Sequence, residues 1–137
     1  MAKRQTIGVI LLLGMFLLAL NVRAEPAAFL GGFEDLPLMP GLVEDEAAGM
    51  EFDAPGGRIV EAIATGRVSG GVSGGVSRAA VLTFYASTLP QLGWRDESHG
   101  LFSREGEILK LEISENGGVV TVRFAVSPES GVQQTPK

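Results

Sequence analysis

The chain has no cysteine and only one histidine, one tryptophan and one tyrosine among its 137 residues. Without cysteine there is no disulfide to staple the fold, no thiolate nucleophile and no sulfur ligand for a structural metal. The single histidine, His99, removes multi-imidazole metal sites and leaves one candidate for an imidazole base. Basic residues are also sparse, 11 Lys and Arg against 16 Asp and Glu, for a formal net charge of −5. Nucleic acid and anionic lipid surfaces are bound through clustered Lys and Arg, so both are excluded as expected partners.

What is present starts at the amino terminus. Lys3 and Arg4 precede a 14-residue apolar run, Ile7 to Leu20, and Val22-Arg23-Ala24 sets small side chains where a signal peptidase reads. As a helix the run spans about 21 Å, short of the ~30 Å hydrocarbon core, which favours a cleaved leader over a retained anchor. A lipoprotein leader would need a cysteine. The expectation is cleavage after Ala24, a periplasmic or secreted product, and no stable membrane anchor after cleavage. Loss of the 24-residue leader takes Lys3, Arg4 and Arg23 with it, leaving 113 residues, 8 basic and 16 acidic, with a net charge of −8. Such a compartment holds no ATP or reduced nicotinamide, and no cofactor is expected.

The remaining chain divides by composition. Residues 25–49 are rich in Pro, Gly, Ala and acid, with Leu36-Pro37 and Met39-Pro40 interrupting any regular period. This stretch reads as an extended arm, and its Phe29, Leu30, Phe33, Leu36, Leu38, Met39 and Leu42 are too many for a purely solvated linker. Residues 50–128 carry the regular patterns, and the polar tail 129–137 reads as disordered. Inside 50–128 lies a Val-Ser-Gly-Gly unit repeated over Val68 to Ser77, a flexible loop by composition.

Within 50–128 the spacing predicts a short strand at Met50–Asp53, a turn at Pro55-Gly56-Gly57 and a firmer strand at Arg58–Thr65. Ser77 is an N-cap for a helix over Arg78–Leu92, with Val81, Leu82, Tyr85, Leu89 and Leu92 along one face. Pro90 lacks the amide that would bond to Ala86, so the helix should kink or stop near Thr88, and Gly93 supplies a left-handed exit. A meander follows: Trp94-Arg95, a polar turn at Asp96–Gly100, Leu101–Arg104, then Ile108–Ser114, an Asn116-Gly117 hairpin signal, and Val119–Val126 with clear alternation. The sum is an α+β fold, a small β-α-β-β-β domain with an antiparallel sheet packed on one helix.

Phe84-Tyr85 followed by Leu89-Pro90-Gln91-Leu92-Gly93-Trp94 resembles a helix-to-strand element, F-Y-x(3)-L-P-x-L-G-W, of small exported bacterial proteins of unknown function. Asp35 to Leu42 and Gly57 to Glu61 look like the leading segment of the same proteins, so the resemblance covers roughly residues 35–128. It brings no catalytic residue. The Val-Ser-Gly-Gly repeat then looks like an expansion of the loop before the helix.

Each candidate chemistry meets a plainer reading. Ser98 and His99 are neighbours in a predicted polar turn, where a rigid nucleophile–base pair is not expected. Glu44-Asp45-Glu46 could hold Ca2+ as a charge cluster but reads better as a solvated acidic surface, so no metal is expected. The glycine-rich repeat lacks the Lys-Ser or Lys-Thr of a nucleotide loop. Glu105, Glu107 and Glu112 supply carboxylates for glycoside chemistry, yet acids at turns and on wet strand faces need no such role. The leading expectation is a non-enzymatic exported accessory or protein-binding module whose partner is another exported or envelope protein, engaged by strand addition at a sheet edge. A second reading is a carrier of a small apolar ligand in a cleft lined by Tyr85, Trp94 and Phe124, and a hydrolase is third.

Overall fold

The computed structural model describes residues 28–68 and 75–129. The leader expected at 1–24, six residues of the Val-Ser-Gly-Gly repeat (69–74) and the tail beyond 129 lie outside the described residues.

Among the described residues seven antiparallel strands form one sheet, covered on one face by a single helix, so the α+β class and the helix-on-sheet arrangement hold. The sheet is larger than the β-α-β-β-β core expected, with Val43–Glu44 and Arg95–Ser98 forming strands of their own and the short Met50 strand joining the same sheet. The strands are β1 (Val43–Glu44), β2 (Met50–Ala54), β3 (Gly57–Arg67), β4 (Arg95–Ser98), β5 (Leu101–Arg104), β6 (Glu107–Asn116) and β7 (Val119–Pro128). Their spatial order is β1-β3-β7-β6-β5-β4, with β2 beside β1 on the same flank of β3. Helix α1 (Arg78–Thr88) carries the chain from β3 across the sheet to the far edge, from which β4 to β7 return as a meander.

Side-chain alternation decides which face is covered. Val60, Ala62 and Ala64 of β3, Leu109 and Leu111 of β6, and Val120, Val122, Phe124 and Val126 of β7 all turn inward and are buried. Register pairs Ala62 with Phe124 and Phe124 with Leu111, so the small alanine leaves room for the large ring beside it. From the helix, Val81, Tyr85 and Leu89 come down on this face. Burying such side chains contributes about 1.5–3 kcal/mol each, enough in aggregate to hold a domain that has no cross-link.

Helix ends follow local chemistry closely. The Ser77 hydroxyl accepts from the Ala80 amide at 3.1 Å, satisfying one of the first-turn donors. At the other end the α-helix stops at Thr88, Leu89–Leu92 tighten into a 3₁₀ turn around Pro90, and Gly93 exits at φ 87°. Two boundaries moved from expectation. The last hairpin turns on Gly117-Gly118 (φ 58° and 76°), with Asn116 paired to Val119, because two glycines in left-handed geometry fit the twist of a two-residue turn. The stretch read as a polar turn at Asp96–Gly100 is instead mostly strand β4, bulged between Asp96 and Ser98, with the turn confined to His99-Gly100.

The arm joins the body. Leu30, Phe33, Leu36 and Leu42 lie in the same core as the sheet and helix. Tyr85 fastens it: its hydroxyl donates to the Pro37 carbonyl at 2.9 Å and accepts from the Met39 amide at 3.2 Å. Arg104 fastens it again, its guanidinium reaching both Asp35 carboxylate oxygens (2.6 and 3.2 Å) and the Leu92 carbonyl (2.9 Å). Gly66 marks where arm and loop press on β3, since a Cβ there would stand 2.8 Å from the Gly41 carbonyl oxygen and 2.8 Å from Val76 Cγ2.

Candidate functional site

Tyr85, Trp94 and Phe124 do not share a cleft. Tyr85 and Phe124 are 0% exposed, with ring centroids 5.2 Å apart in an edge-to-face arrangement, and they close the interface between helix and sheet. Burial pushes the Tyr85 phenol well above its ordinary pKa, against the opposing effect of the Met39 amide hydrogen bond. Trp94 belongs to the same core, 4% exposed, with the Arg104 guanidinium 4.3 Å from its ring centroid. Its indole Nε1 is buried without a hydrogen-bond partner among the described residues, a cost of about 1–3 kcal/mol that the cation above the ring partly offsets. An open cleft of about 630 Å³ lies beside it, lined by Trp94, Arg95, Glu97, Arg104, Glu105 and Glu129 among others. The helix-to-strand element thus builds an anchor for Arg104 and the arm.

The other residues weighed for chemistry are dispersed. Ser98 Oγ and His99 Nδ1 do meet, at 2.9 Å, on the exposed tip of the β4–β5 hairpin, where both residues have positive φ. The nearby Asp96 carboxylate accepts from the Ser98 amide at 2.7 Å instead of orienting the imidazole. In the acidic triplet, both Glu44 oxygens accept from the Gly31 amide at 3.0 and 3.1 Å, and Asp45 accepts from Ala47 at 3.2 Å to cap a 3₁₀ turn at Glu46–Ala48. Glu107 pairs with Arg58 at 3.0 Å, and Glu112 with Lys110 and Arg123 at 2.7 and 3.0 Å. Among the described residues no group of three or more His, Asp or Glu is disposed to hold a metal ion.

The surface that stands out is the flank of β3 where β1 and β2 lie. Residues directly opposite in an antiparallel pair share a face, so Val43 (opposite Thr65), Met50 (opposite Glu61) and Phe52 (opposite Ile59) all stand on the uncovered face of the sheet. They are 69%, 50% and 46% exposed, among the most exposed large apolar residues of the described chain. Ile59 and Ile63 stand on the same face of β3 with Glu61 between them, and Arg123 bridges Glu61 (2.6 Å) to Glu112 (3.0 Å). The alternate residues of the same edge, Glu44, Glu51 and Asp53, face the other way. Among the described residues β2 has a neighbour only in β3, so every second residue turns its N–H and C=O outward.

The 3₁₀ turn between β1 and β2 interrupts this edge and leaves a notch of about 270 Å³ lined by Glu44, Glu46, Glu51 and Glu61 with Gly31, Gly32, Gly49, Met50 and Val60. Glu46, Glu51 and Asp53 make no ion pair among the described residues. The opposite edge, β4, is Arg-Asp-Glu-Ser, exposed throughout and bulged, features that blunt a strand against pairing. The short strand at Met50 was expected from sequence, but its apolar residues were not singled out. Their signal was the Met-Glu-Phe-Asp alternation, which acquires a direction only once the register with β3 is known.

Comparison with protein-family models, with curated proteins and with solved structures finds no match to this chain.

Proposed function

We propose that this chain is an exported, non-enzymatic accessory module that binds another exported or envelope protein by accepting a strand along β2. The observation that carries this reading is an edge strand with Met50 and Phe52 half exposed beside outward-facing backbone groups. Most apolar residues of the arm, Leu30, Phe33, Leu36 and Leu42 among them, are used in the core, so they do not compete with this edge as a surface for a partner. The amino-terminal pattern of Lys3, Arg4, the Ile7–Leu20 run and Ala24 supports export, as does the resemblance carried by Phe84 to Trp94. The acidic balance of the chain supports a protein partner over nucleic acid or a lipid surface.

The test is site-specific photo-crosslinking in intact cells, with a benzoylphenylalanine at position 52 and, as a control on the other edge, at position 97. Adducts from 52 with an envelope protein, none from 97, and a native mass that starts at Glu25 are the expected results. A chain found in the cytosol with residues 1–24 intact, or no adduct from position 52, overturns the proposal.

A further inference from the structure

The chemistry of the partner is written on the same edge. We infer that the strand received by β2 alternates apolar and basic residues, its apolar side chains lying beside Met50 and Phe52 and its Lys or Arg side chains beside Glu51, Asp53 and the carboxylate notch. The inference rests on the edge-binding reading above and goes further by naming what the edge selects. An added strand runs about 4.8 Å from its neighbour, and its side chains alternate between faces in step with the strand it joins. On the uncovered face it meets two exposed apolar side chains, Phe52 opposite Ile59 and Met50 opposite Glu61. On the other face it meets Glu51 and Asp53, and at its end the notch lined by Glu44, Glu46 and Glu51.

Charge also decides against a second copy as occupant. Pairing β2 with the β2 of another molecule would set Glu51 and Asp53 of one edge against the same carboxylates of the other, in a protein whose formal net charge is already −5. Like charges directly opposite across strands are repulsive, so the acids that invite a basic segment also keep the protein from pairing with itself. Glu44 and Glu61 are held by the Gly31 amide and by Arg123, whereas Glu46, Glu51 and Asp53 make no ion pair among the described residues, and Arg58, which stands opposite Asp53, is engaged by Glu107 at 3.0 Å. Neutralising those three is the gain that a basic strand brings and an acidic one forfeits.

The experiment is a fluorescence-anisotropy titration of the full mature chain with short labelled peptides. One alternates Val and Lys, a second alternates Val and Glu, and a third is the Val/Lys peptide N-methylated on alternate residues so that it cannot pair with a strand. The Val/Lys peptide is expected to bind at least about tenfold more tightly than either of the others, with the preference between Lys and Glu peptides reversed by E51K/D53K. Phe52→Lys, which leaves both carboxylates in place, is expected to lose about tenfold for the Val/Lys peptide. Equal binding of the Lys and Glu peptides, equal binding of the N-methylated peptide, or self-association of the wild type through β2 overturns the inference. Those results leave the cellular crosslinks from position 52 standing, and with them the edge reading; loss of the crosslinks removes the edge reading itself.

Discussion

Replacing Tyr85 by Phe removes one oxygen atom and two hydrogen bonds that cross between helix and arm. The phenol donates to Pro37 and accepts from Met39, at 2.9 and 3.2 Å, while its ring is fully buried against Phe124. Phe keeps the ring packing, so the loss is polar, and with a net worth of about 0.5–1.5 kcal/mol per bond the change should cost about 1–3 kcal/mol. The amide of Met39 and the carbonyl of Pro37 are left unpaired, so exchange of the Met39 amide should accelerate with little change elsewhere. Alkali tests the same contact independently. Burial raises the folded-state pKa of Tyr85 above its ordinary value of 10.0, so its contribution is complete below pH 10 and is lost as pH climbs. Each pH unit above that point should cost about 1.4 kcal/mol until the folded phenol ionises. Tyr85 is the single tyrosine and Trp94 the single tryptophan, so tyrosinate absorbance and indole fluorescence report ionisation and unfolding separately. The wild type should show both transitions together, and Tyr85→Phe should show a flatter alkaline decline. Tyrosinate absorbance that grows in near pH 10 while Trp94 stays buried refutes the reasoning.

Gly66→Ala places a methyl 2.8 Å from a backbone oxygen that cannot move without shifting the arm, and should lower stability by about 1–3 kcal/mol in urea titrations. Asp35→Asn removes the carboxylate that grips Arg104, with an expected loss of about 0.5–1.5 kcal/mol at neutral pH given that Asp35 is partly exposed. The Arg104 hydrogen bond holds the Asp35 carboxyl below its ordinary 3.8, so this stability is present above that value and fades as pH falls beneath it. Urea midpoints of wild type and Asp35→Asn should therefore converge in acid.

Much of the helix could be read because its signals are local. Ser77 caps, Pro90 stops and Gly93 exits within a few residues of the backbone groups they act on, and no distant partner is needed to interpret them. The strands with one buried face were equally plain, since burial of alternate residues in β6 and β7 writes itself into the sequence. β4 was missed for the converse reason: Arg95–Ser98 is exposed on both faces, and a strand that buries nothing has no period to detect. The partners of Tyr85 are main-chain atoms of Pro37 and Met39, and backbone groups carry no residue signature. Met50 and Phe52 were visible as a short strand, but the face they occupy depends on pairing with Ile59 and Glu61, a tertiary fact.

An interior ladder of the sheet joins β3 to β7, setting Val60 beside Val126. A polypeptide that emerges amino-terminus first, from a ribosome or through a pore, therefore completes that ladder only when its final strand arrives. Until then β3 has no inner neighbour and Tyr85 no Phe124 to lean on. Topology of this kind keeps the nascent polymer threadable for nearly its whole passage and makes consolidation a single late event.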